Sequence, residues 1–182
     1  SLSYFPMSIR ICTGRYGSRR IECPAKGVRP TTDRVKQAIF STLPFDLAGT
    51  RVLDLFAGCG NLGIEALSRG SEVVTFVDSS RVCVDAIQKN LLTLKANEQA
   101  KVVKSDVCSF VEKCGDKFDV IFMDPPYNKG LASQLAPRVY RLLKTGGVLV
   151  IEHSLDEPIP SHPWKFRTYG DTMITYIVRD ES

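Results

Sequence analysis

The segment Asp124-Pro125-Pro126-Tyr127 follows an apolar run that ends at Met123. Two consecutive prolines fix the backbone and remove two N–H donors, so carbonyl acceptors are presented rigidly beside a carboxylate and an aromatic ring. This set suits an exocyclic amine on a flat base, because Asp124 and the Pro125 carbonyl can accept its two N–H groups while Tyr127 stacks on the ring. Taken alone, the segment fits a proline-stiffened loop with a capping aspartate better, and it is its location opposite the glycine-rich loop at Gly58 that favours a functional role.

A glycine-rich segment elsewhere in the chain predicts a nucleoside site. Gly58, Gly60 and Gly63 have G-x-G-x-x-G spacing between a predicted strand and a predicted helix, where the backbone can approach a ligand closely. Asp78 ends the next predicted strand, twenty residues beyond Gly58, and its carboxylate can accept hydrogen bonds from both hydroxyls of a ribose. Without Asp78, the glycines would equally fit a tight strand-to-helix turn.

Two further aspartates favour S-adenosylmethionine over a nicotinamide dinucleotide. Asp54 lies four residues before Gly58, where a carboxylate suits the cationic amino group of a methionine moiety and opposes a pyrophosphate. Asp106 follows the third strand and can accept from an adenine amino group. Each acid can alternatively be a helix N-cap or a solvated loop residue. The neighbouring candidates for cofactor binding are Phe56, Cys59, Asn61, Ser79 and Ser105.

The hydrophobic pattern places these segments on an alternating α/β chain. Strands are predicted at 51–56, 72–77, 101–104, 118–123 and 147–152, with helices near 61–69, 80–95, 107–113 and 131–143. Strands that alternate with helices imply a parallel sheet covered on both faces. Segments 165–169 and 173–179 are separated by only three residues, too few for a parallel crossover, so they should form an antiparallel hairpin. The expected sheet is mostly parallel, with one reversed strand near its edge.

Positive charge is concentrated near the N-terminus. Residues 1–50 contain eight Lys or Arg against three acids, and the remaining 132 residues contain sixteen against seventeen. Lys26 and Lys36 belong to this basic set, which suits a polyanion as well as a merely solvated surface. The predicted structure there is a hairpin of strands 9–13 and 19–23 around a turn at 14–18, and then a helix capped by Thr31 or Thr32. Residues 1–7 are interpreted as a vector-derived leader ending at a start methionine.

Composition excludes several classes of protein. No apolar stretch approaches the roughly 20 residues that a membrane-spanning helix needs. The six cysteines include no C-x-x-C pair and are accompanied by only two histidines, so neither a zinc site nor a dense disulfide framework is expected. We therefore expect a reduced, cytoplasmic protein without a metal. Cys59 is expected only to fill the glycine-rich turn.

The chain resembles the RsmD family of bacterial ribosomal RNA methyltransferases from about Ser8 to Arg179. The Asp124-Pro125-Pro126-Tyr127 segment is similar to a signature shared with adenine and glutamine methyltransferases, so it specifies the chemistry more than the substrate. More specific are Arg29-Pro30-Thr31-Thr32-Asp33-Arg34-Val35, and Asp54-Leu55-Phe56-Ala57-Gly58 followed by Leu62-Gly63-Ile64-Glu65-Ala66-Leu67-Ser68-Arg69-Gly70. Four positions depart from the family pattern: Ser18 and Asn61 stand where glycine and alanine are usual, and Cys59 and Gln37 where serine and glutamate are common.

The resemblance implies a class I S-adenosylmethionine-dependent methyltransferase fold with a seven-stranded sheet, formed by residues 47–182 and preceded by a basic hairpin and helix at 8–46. It implies methyl transfer to N2 of a guanine, position 966 of small-subunit ribosomal RNA, with S-adenosylhomocysteine as product. Asp124, Pro125, Pro126 and Tyr127 would be catalytic. The RNA, free or within the small subunit or its assembly intermediate, would contact Arg10, Arg15, Arg19, Arg20, Arg29, Thr31, Thr32 and Arg34.

Three alternative functions stay open at this stage. One is an amine methyltransferase acting on adenine N6 in DNA or RNA or on a protein amide, although the chain has no separate target-recognition domain. The second is a noncatalytic nucleic-acid-binding protein of the same fold. The third is a nicotinamide oxidoreductase, which uses the same glycine spacing.

Overall fold

A computed structural model describes residues 7–24, 31–127, 129–159 and 163–180. The strands are β1 (Met7–Arg10), β2 (Arg20–Cys23), β3 (Arg51–Leu55), β4 (Val73–Asp78), β5 (Ala100–Lys104), β6 (Phe118–Met123), β7 (Leu143–Ser154), β8 (Lys165–Tyr169) and β9 (Thr172–Val178). The helices are α1 (Asp33–Thr42), α2 (Asn61–Ser68), α3 (Arg81–Thr93), α4 (Val107–Lys113) and α5 (Leu131–Tyr140), with a 3-10 helix at Asn97–Gln99. Over these ranges, no helix has the length and apolar character needed to cross a bilayer.

The main sheet has seven strands in the order β5-β4-β3-β6-β7-β9-β8. Strands β3 to β7 pair in parallel, whereas β9 runs antiparallel to both β7 and β8. Only Gly170 and Asp171 separate β8 from β9, and Gly170 has the positive φ of 60° that such a short reversal requires. The predicted α/β class and the single reversed strand are confirmed.

Successive side chains along the strands point to opposite faces of the sheet and belong to two hydrophobic clusters, one on each face. In β3, Val52 belongs to the cluster under the hairpin, α1, α2 and α3, and Leu53 belongs to the cluster under α4 and α5. The first cluster contains Ile9 and Ile21 from the hairpin together with Phe40 from α1. The described part of the predicted 8–46 segment therefore shares a core with the sheet.

The N-terminal hairpin lies along α2. Its turn approaches the end of that helix, where the Arg15 N–H donates to the Ser68 carbonyl at 2.7 Å. A Cβ on Gly14 would lie 1.9 Å from the same carbonyl oxygen, so only glycine allows this approach. The hairpin is thereby held against the end of α2 by backbone contact.

Two predicted boundaries were wrong for identifiable reasons. The first hairpin strand ends at Arg10 instead of reaching Thr13, because the N–H groups of Cys12 and Thr13 donate to the Glu65 carboxylate. The helix expected to reach residue 143 ends at Tyr140, and Leu143 already begins β7 opposite Phe118.

Candidate active site

The loop after β3 is held in a conformation that favours glycine. Gly58 and Gly60 have φ values of 61° and 87°, and Phe56 also adopts a positive φ of 57°. The Gly58 N–H donates to Asp78 Oδ2 at 2.9 Å, which ties the loop to the end of β4. A side chain forced into this backbone region indicates a functional constraint on the loop.

Gly63 allows α2 to pack closely against the sheet. A Cβ there would lie 2.2 Å from Phe76 Cε1, so the position is restricted to glycine. Its N–H donates to Asp54 Oδ2 at 2.9 Å. Burial raises the pKa of Asp54 to about 8; the Gly63 hydrogen bond lowers it, and the charge of Asp78 raises it further.

Asp78, the residue predicted to bind a ribose, connects the loop after β3 to the start of α3. One carboxylate oxygen accepts from Gly58, and the other accepts from the Ser80 N–H at 2.9 Å. Ser80 in turn caps α3 by accepting from the Cys83 N–H. Each carboxylate oxygen can accept more than one hydrogen bond, so both retain capacity for a ligand hydroxyl.

A cavity of about 610 Å³ joins the glycine-rich loop to the proline segment. Its lining includes Asp54, Phe56, Gly58, Cys59, Asn61, Asp78 and Ser79 on one side and Asp124, Pro125, Pro126 and Tyr127 on the other, with Thr31 also at its wall. The volume lies in the range of small-molecule sites. The strands β3, β4 and β6 all end here, as expected for a ligand site of an open parallel sheet.

Four predicted cofactor residues do not line this cavity. Gly60 and Gly63 act through the backbone shape and the packing of α2. Asp106 is exposed and caps α4, since its Oδ2 accepts from the Ser109 N–H at 2.9 Å. The structure thus shows Asp106 in its alternative role as a helix N-cap. Ser105 donates to the Asp106 carbonyl. Contact of either residue with adenine stays a prediction.

Tyr127 is anchored to the reversed strand. Its hydroxyl lies 2.8 Å from Thr172 Oγ1 at the start of β9. This contact holds the phenol at one end and leaves the ring at the cavity wall. The reversed strand therefore helps to orient the aromatic ring that was predicted to stack on a base.

The predicted RNA-binding residues fall into separate groups. Arg10 and Arg20 are register partners across β1 and β2, and they line a groove with Thr31 and Thr32. Arg34 lines a second groove, which also contains Thr31. The exposed Arg15 and Arg19 belong to the turn that follows this pair; the Arg15 N–H donates to the Ser68 carbonyl at the end of α2, and the Arg19 guanidinium donates to the carbonyl of Thr93, the last residue of α3. Arg29 lies outside the described residues.

Lys36 corrects the sequence-based description of the basic surface. Its side chain is fully buried, and Nζ donates to the Arg10 carbonyl and to Asn61 Oδ1, each at 2.8 Å. Nζ also lies 3.3 Å from Glu65 Oε1. Lys36 therefore cannot contact RNA phosphates. Sequence reasoning missed this buried network, although a lysine next to apolar Val35 and three residues before Ile39 on a helical pattern was a usable signal.

The cysteines correct a second expectation. Cys23 and Cys59 form a disulfide, with Cα atoms 5.1 Å apart, so the expectation of a fully reduced protein and of Cys59 as a simple space-filler was wrong. The bond connects the end of β2 to the loop after β3. Over the ranges that the structure describes, no three His, Cys, Asp or Glu side chains are grouped as a metal site.

The fold and site define a class I methyltransferase-like α/β protein. The family described as conserved hypothetical protein 95 matches residues 9–178, and the chain belongs to this family, the RsmD family. It is 35% identical over 162 residues to "Ribosomal RNA small subunit methyltransferase D" of Escherichia coli, covering 85% of this chain and 79% of that protein.

Solved structures agree with this assignment. A putative methyltransferase, yhhF, from E. coli superposes with a TM-score of 0.87 at 30% identity, covering 97% of this chain and all of that one. The T. thermophilus 16S rRNA N2-guanine methyltransferase RsmC, bound to AdoMet and guanosine, superposes with a TM-score of 0.70 at 21% identity. That match covers 97% of this chain and 50% of that chain, and it shows the fold alone.

Proposed function

We propose that this chain is an S-adenosylmethionine-dependent methyltransferase that methylates the exocyclic N2 of a guanine in small-subunit ribosomal RNA. The observation that carries this proposal is the single cavity shared by the glycine-rich loop and the Asp124-Pro125-Pro126-Tyr127 segment. The family membership and the 35% identity to the E. coli small-subunit enzyme support the RNA as substrate.

The residues present fit the cofactor. Asp54 is a buried carboxylate at the cavity wall whose raised pKa indicates that it lacks the stabilisation a cation would provide. Asp78 offers carboxylate oxygens beside the Gly58 backbone. We expect Asp54 to hold the methionine amino group and Asp78 to hold the ribose. When bound, S-adenosylmethionine supplies a methyl group activated by its sulfonium, and S-adenosylhomocysteine is the product.

The substrate side of the cavity is built to accept hydrogen bonds from an amine. The Asp124 carboxylate and the Pro125 carbonyl would each accept a hydrogen bond from one N–H of the guanine N2 amine, and the Tyr127 ring would stack on the base. The amine is conjugated and weakly nucleophilic, so acceptor contacts that strengthen as positive charge develops on nitrogen lower the barrier. The guanine has to leave its stack to reach these residues.

The proposed partner is ribosomal RNA within the small subunit or its assembly intermediate. Exposed arginines supply positive charge in the two grooves that share Thr31 with the cavity. The proposed location is the cytoplasm, where ribosomes are built. The Cys23–Cys59 disulfide is unusual for this location, because disulfides are rare in the cytoplasm. Thiol trapping in fresh cell extract measures whether the two cysteines are oxidised.

Single-turnover methylation tests the function. Small subunits from cells lacking this modification are incubated with the protein and labelled S-adenosylmethionine, and the product nucleoside is identified by mass spectrometry. We expect N2-methylguanosine at one site. Asp124→Ala should slow transfer by roughly 30- to 1,000-fold while cofactor affinity changes little. Asp116→Ala, at an exposed aspartate just before the start of β6, is the matched control. Methylation of adenine, or full activity of Asp124→Ala, contradicts the proposal.

A further inference from the structure

Glu152 lies beside the proline segment on the adjacent strand. Strands β6 and β7 run in parallel with Met123 opposite Ile151, so Asp124 and Glu152 occupy the next positions along the two strands. Ile151 belongs to the cluster under α4 and α5, and Val150 to the cluster under α1. Because side chains alternate, Glu152 faces the same side as Val150, toward the segment that precedes α1.

Thr31 links Glu152 to the cavity. The Thr31 hydroxyl donates to Glu152 Oε1 at 3.5 Å, and Thr31 also lines the cavity that contains Asp124 and Tyr127. Glu152 itself lines the neighbouring groove with Thr31 and Thr172. Thr172 is the residue that anchors the Tyr127 hydroxyl. Thr31 therefore lines both the cavity and the groove, and Thr172 lines the groove with Glu152 while it contacts Tyr127.

We infer that Glu152 is a specificity-determining residue that accepts a hydrogen bond from N1–H of the target guanine, an inference that rests on the proposed function. In guanine, N1–H is adjacent to the N2 amine on the same edge of the base. With N2 at Asp124 and Pro125, that edge would point toward Glu152, which lies one strand away at the adjacent register position and contacts Thr31 at the cavity wall. A flipped base is read through this edge.

The carboxylate distinguishes guanine from adenine. Adenine also presents an exocyclic amine, but its ring N1 carries a lone pair and no hydrogen. A carboxylate facing that lone pair loses its hydrogen bond and meets repulsion, and a site built to hydrogen-bond a donor rejects analogues that lack it by large factors. Asp124 and the two prolines accept from any amine, so they leave the choice of base to another residue.

A base analogue isolates the contact. 2-Aminopurine keeps the amine at C2, replaces N1–H by an unprotonated nitrogen and lacks O6, so the contact is read from the change in base preference between the parent and Glu152→Gln. RNA carrying guanine or 2-aminopurine at the target position is methylated by the parent protein and by Glu152→Gln under single-turnover conditions. We expect the parent to prefer guanine by at least about 100-fold. In Glu152→Gln the preference should fall below about tenfold, because the amide can donate to the unprotonated nitrogen.

The controls separate this inference from the proposed function. Glu112→Gln removes an equal charge from the exposed far end of α4, and its preference for guanine should match that of the parent. Cofactor affinity should be equal in all three proteins. An unchanged preference in Glu152→Gln overturns the role of Glu152 and leaves the function standing. Failure of the parent to methylate guanine N2 at all overturns the function itself.

Discussion

Lys36 and Glu65 form an ion pair that is sealed from solvent, with side-chain exposures of 1% and 0% and an Nζ–Oε1 distance of 3.3 Å. The pair connects α1 to α2, and the Arg69 guanidinium supports it at 2.9 Å from Glu65 Oε2. Glu65 also accepts from the N–H groups of Cys12 and Thr13. One buried carboxylate thus joins the hairpin, α1 and α2.

Removing the lysine charge should destabilise the fold. Lys36→Met leaves Glu65 buried with only Arg69 as a counter-ion, so we expect a loss of about 3 kcal/mol in the free energy of unfolding. Urea titration at pH 7 measures it. Lys101→Met, which removes an exposed charge from β5, should change stability by less than about 0.5 kcal/mol. A loss below about 1 kcal/mol in Lys36→Met would show that the pair contributes little.

Cofactor affinity should rise with pH below about 8. Asp54 has its pKa raised to about 8, so it is largely protonated at neutral pH in the free protein. A bound cation favours the carboxylate, and binding should therefore release a proton and strengthen by up to about tenfold per pH unit between pH 6 and 7.5. Calorimetry in two buffers of different ionisation enthalpy measures the release.

The same raised pKa has an opposite effect on the stability of the free protein. In the unfolded chain the pKa of Asp54 is near 3.8, whereas in the folded protein it is about 8, so the folded state holds the proton more tightly. The resulting contribution to the free energy of unfolding is fully present below pH 3.8 and is lost as the pH rises to about 8. Asp54→Asn should remove both pH dependences, leaving binding weak and nearly flat. Proton release that persists in Asp54→Asn would assign it to another group.

The Tyr127–Thr172 contact should contribute to transfer through ring orientation. Tyr127→Phe removes the hydroxyl and keeps the ring, so we expect kcat/KM to fall about three- to tenfold. Thr172→Val should have a similar effect, and the double variant should lose little more, because both changes remove the same contact. Tyr127→Ala should lose more, since base stacking is worth roughly 1 to 3 kcal/mol. Fully additive single variants would mean that the two hydroxyls act independently.

The two groups of hairpin arginines should differ in their effect on RNA binding. Arg10 and Arg20 line the groove at Thr31, whereas Arg15 lies beside Ser68, at the end of α2 and about 10 Å from Asn61 at the cavity wall, and the Arg19 guanidinium contacts the end of α3. Replacing Arg10 and Arg20 by Ala should reduce the slope of log affinity against log salt by about 1.5 to 2 units.

Replacing Arg15 and Arg19 by Ala is the charge-matched comparison, and it should change that slope by less than about 0.5 units. Filter binding to small-subunit RNA over a salt series measures both slopes. Cofactor binding should be unaffected in either variant. Equal slopes for the two double variants would show that RNA also covers the hairpin turn.

Ser18 adopts the backbone conformation that the family pattern assigns to glycine. Its φ is 72°, and its N–H donates to the Ile11 carbonyl at 2.9 Å. A serine held at positive φ carries backbone strain, so Ser18→Gly should stabilise the protein by about 0.5 to 1 kcal/mol in urea titration. Ser18→Ala retains a Cβ and should bring no gain. Equal stability of the Gly and Ala variants would contradict the role of strain.

The order of strands and helices could be predicted from the sequence because its signals are local. Apolar runs of strand length alternate with helical periodicity, and the three-residue spacing before Met173 excludes a parallel connection. The glycine spacing and the two prolines also act through their own backbone, so the loop at Gly58 and the segment at Asp124 were recognised before any contact was known.

Contacts between distant segments were decided by tertiary structure. The sequence contains Lys36 as one of eight basic residues near the N-terminus, and only the packing of α1 on α2 removes it from solvent. The Cys23–Cys59 bond and the position of Glu152 beside Asp124 likewise depend on which strands and loops become neighbours in the folded protein. Local patterns report backbone preference and periodicity, whereas burial, pairing and strand order are set by the free energy of the whole packed core.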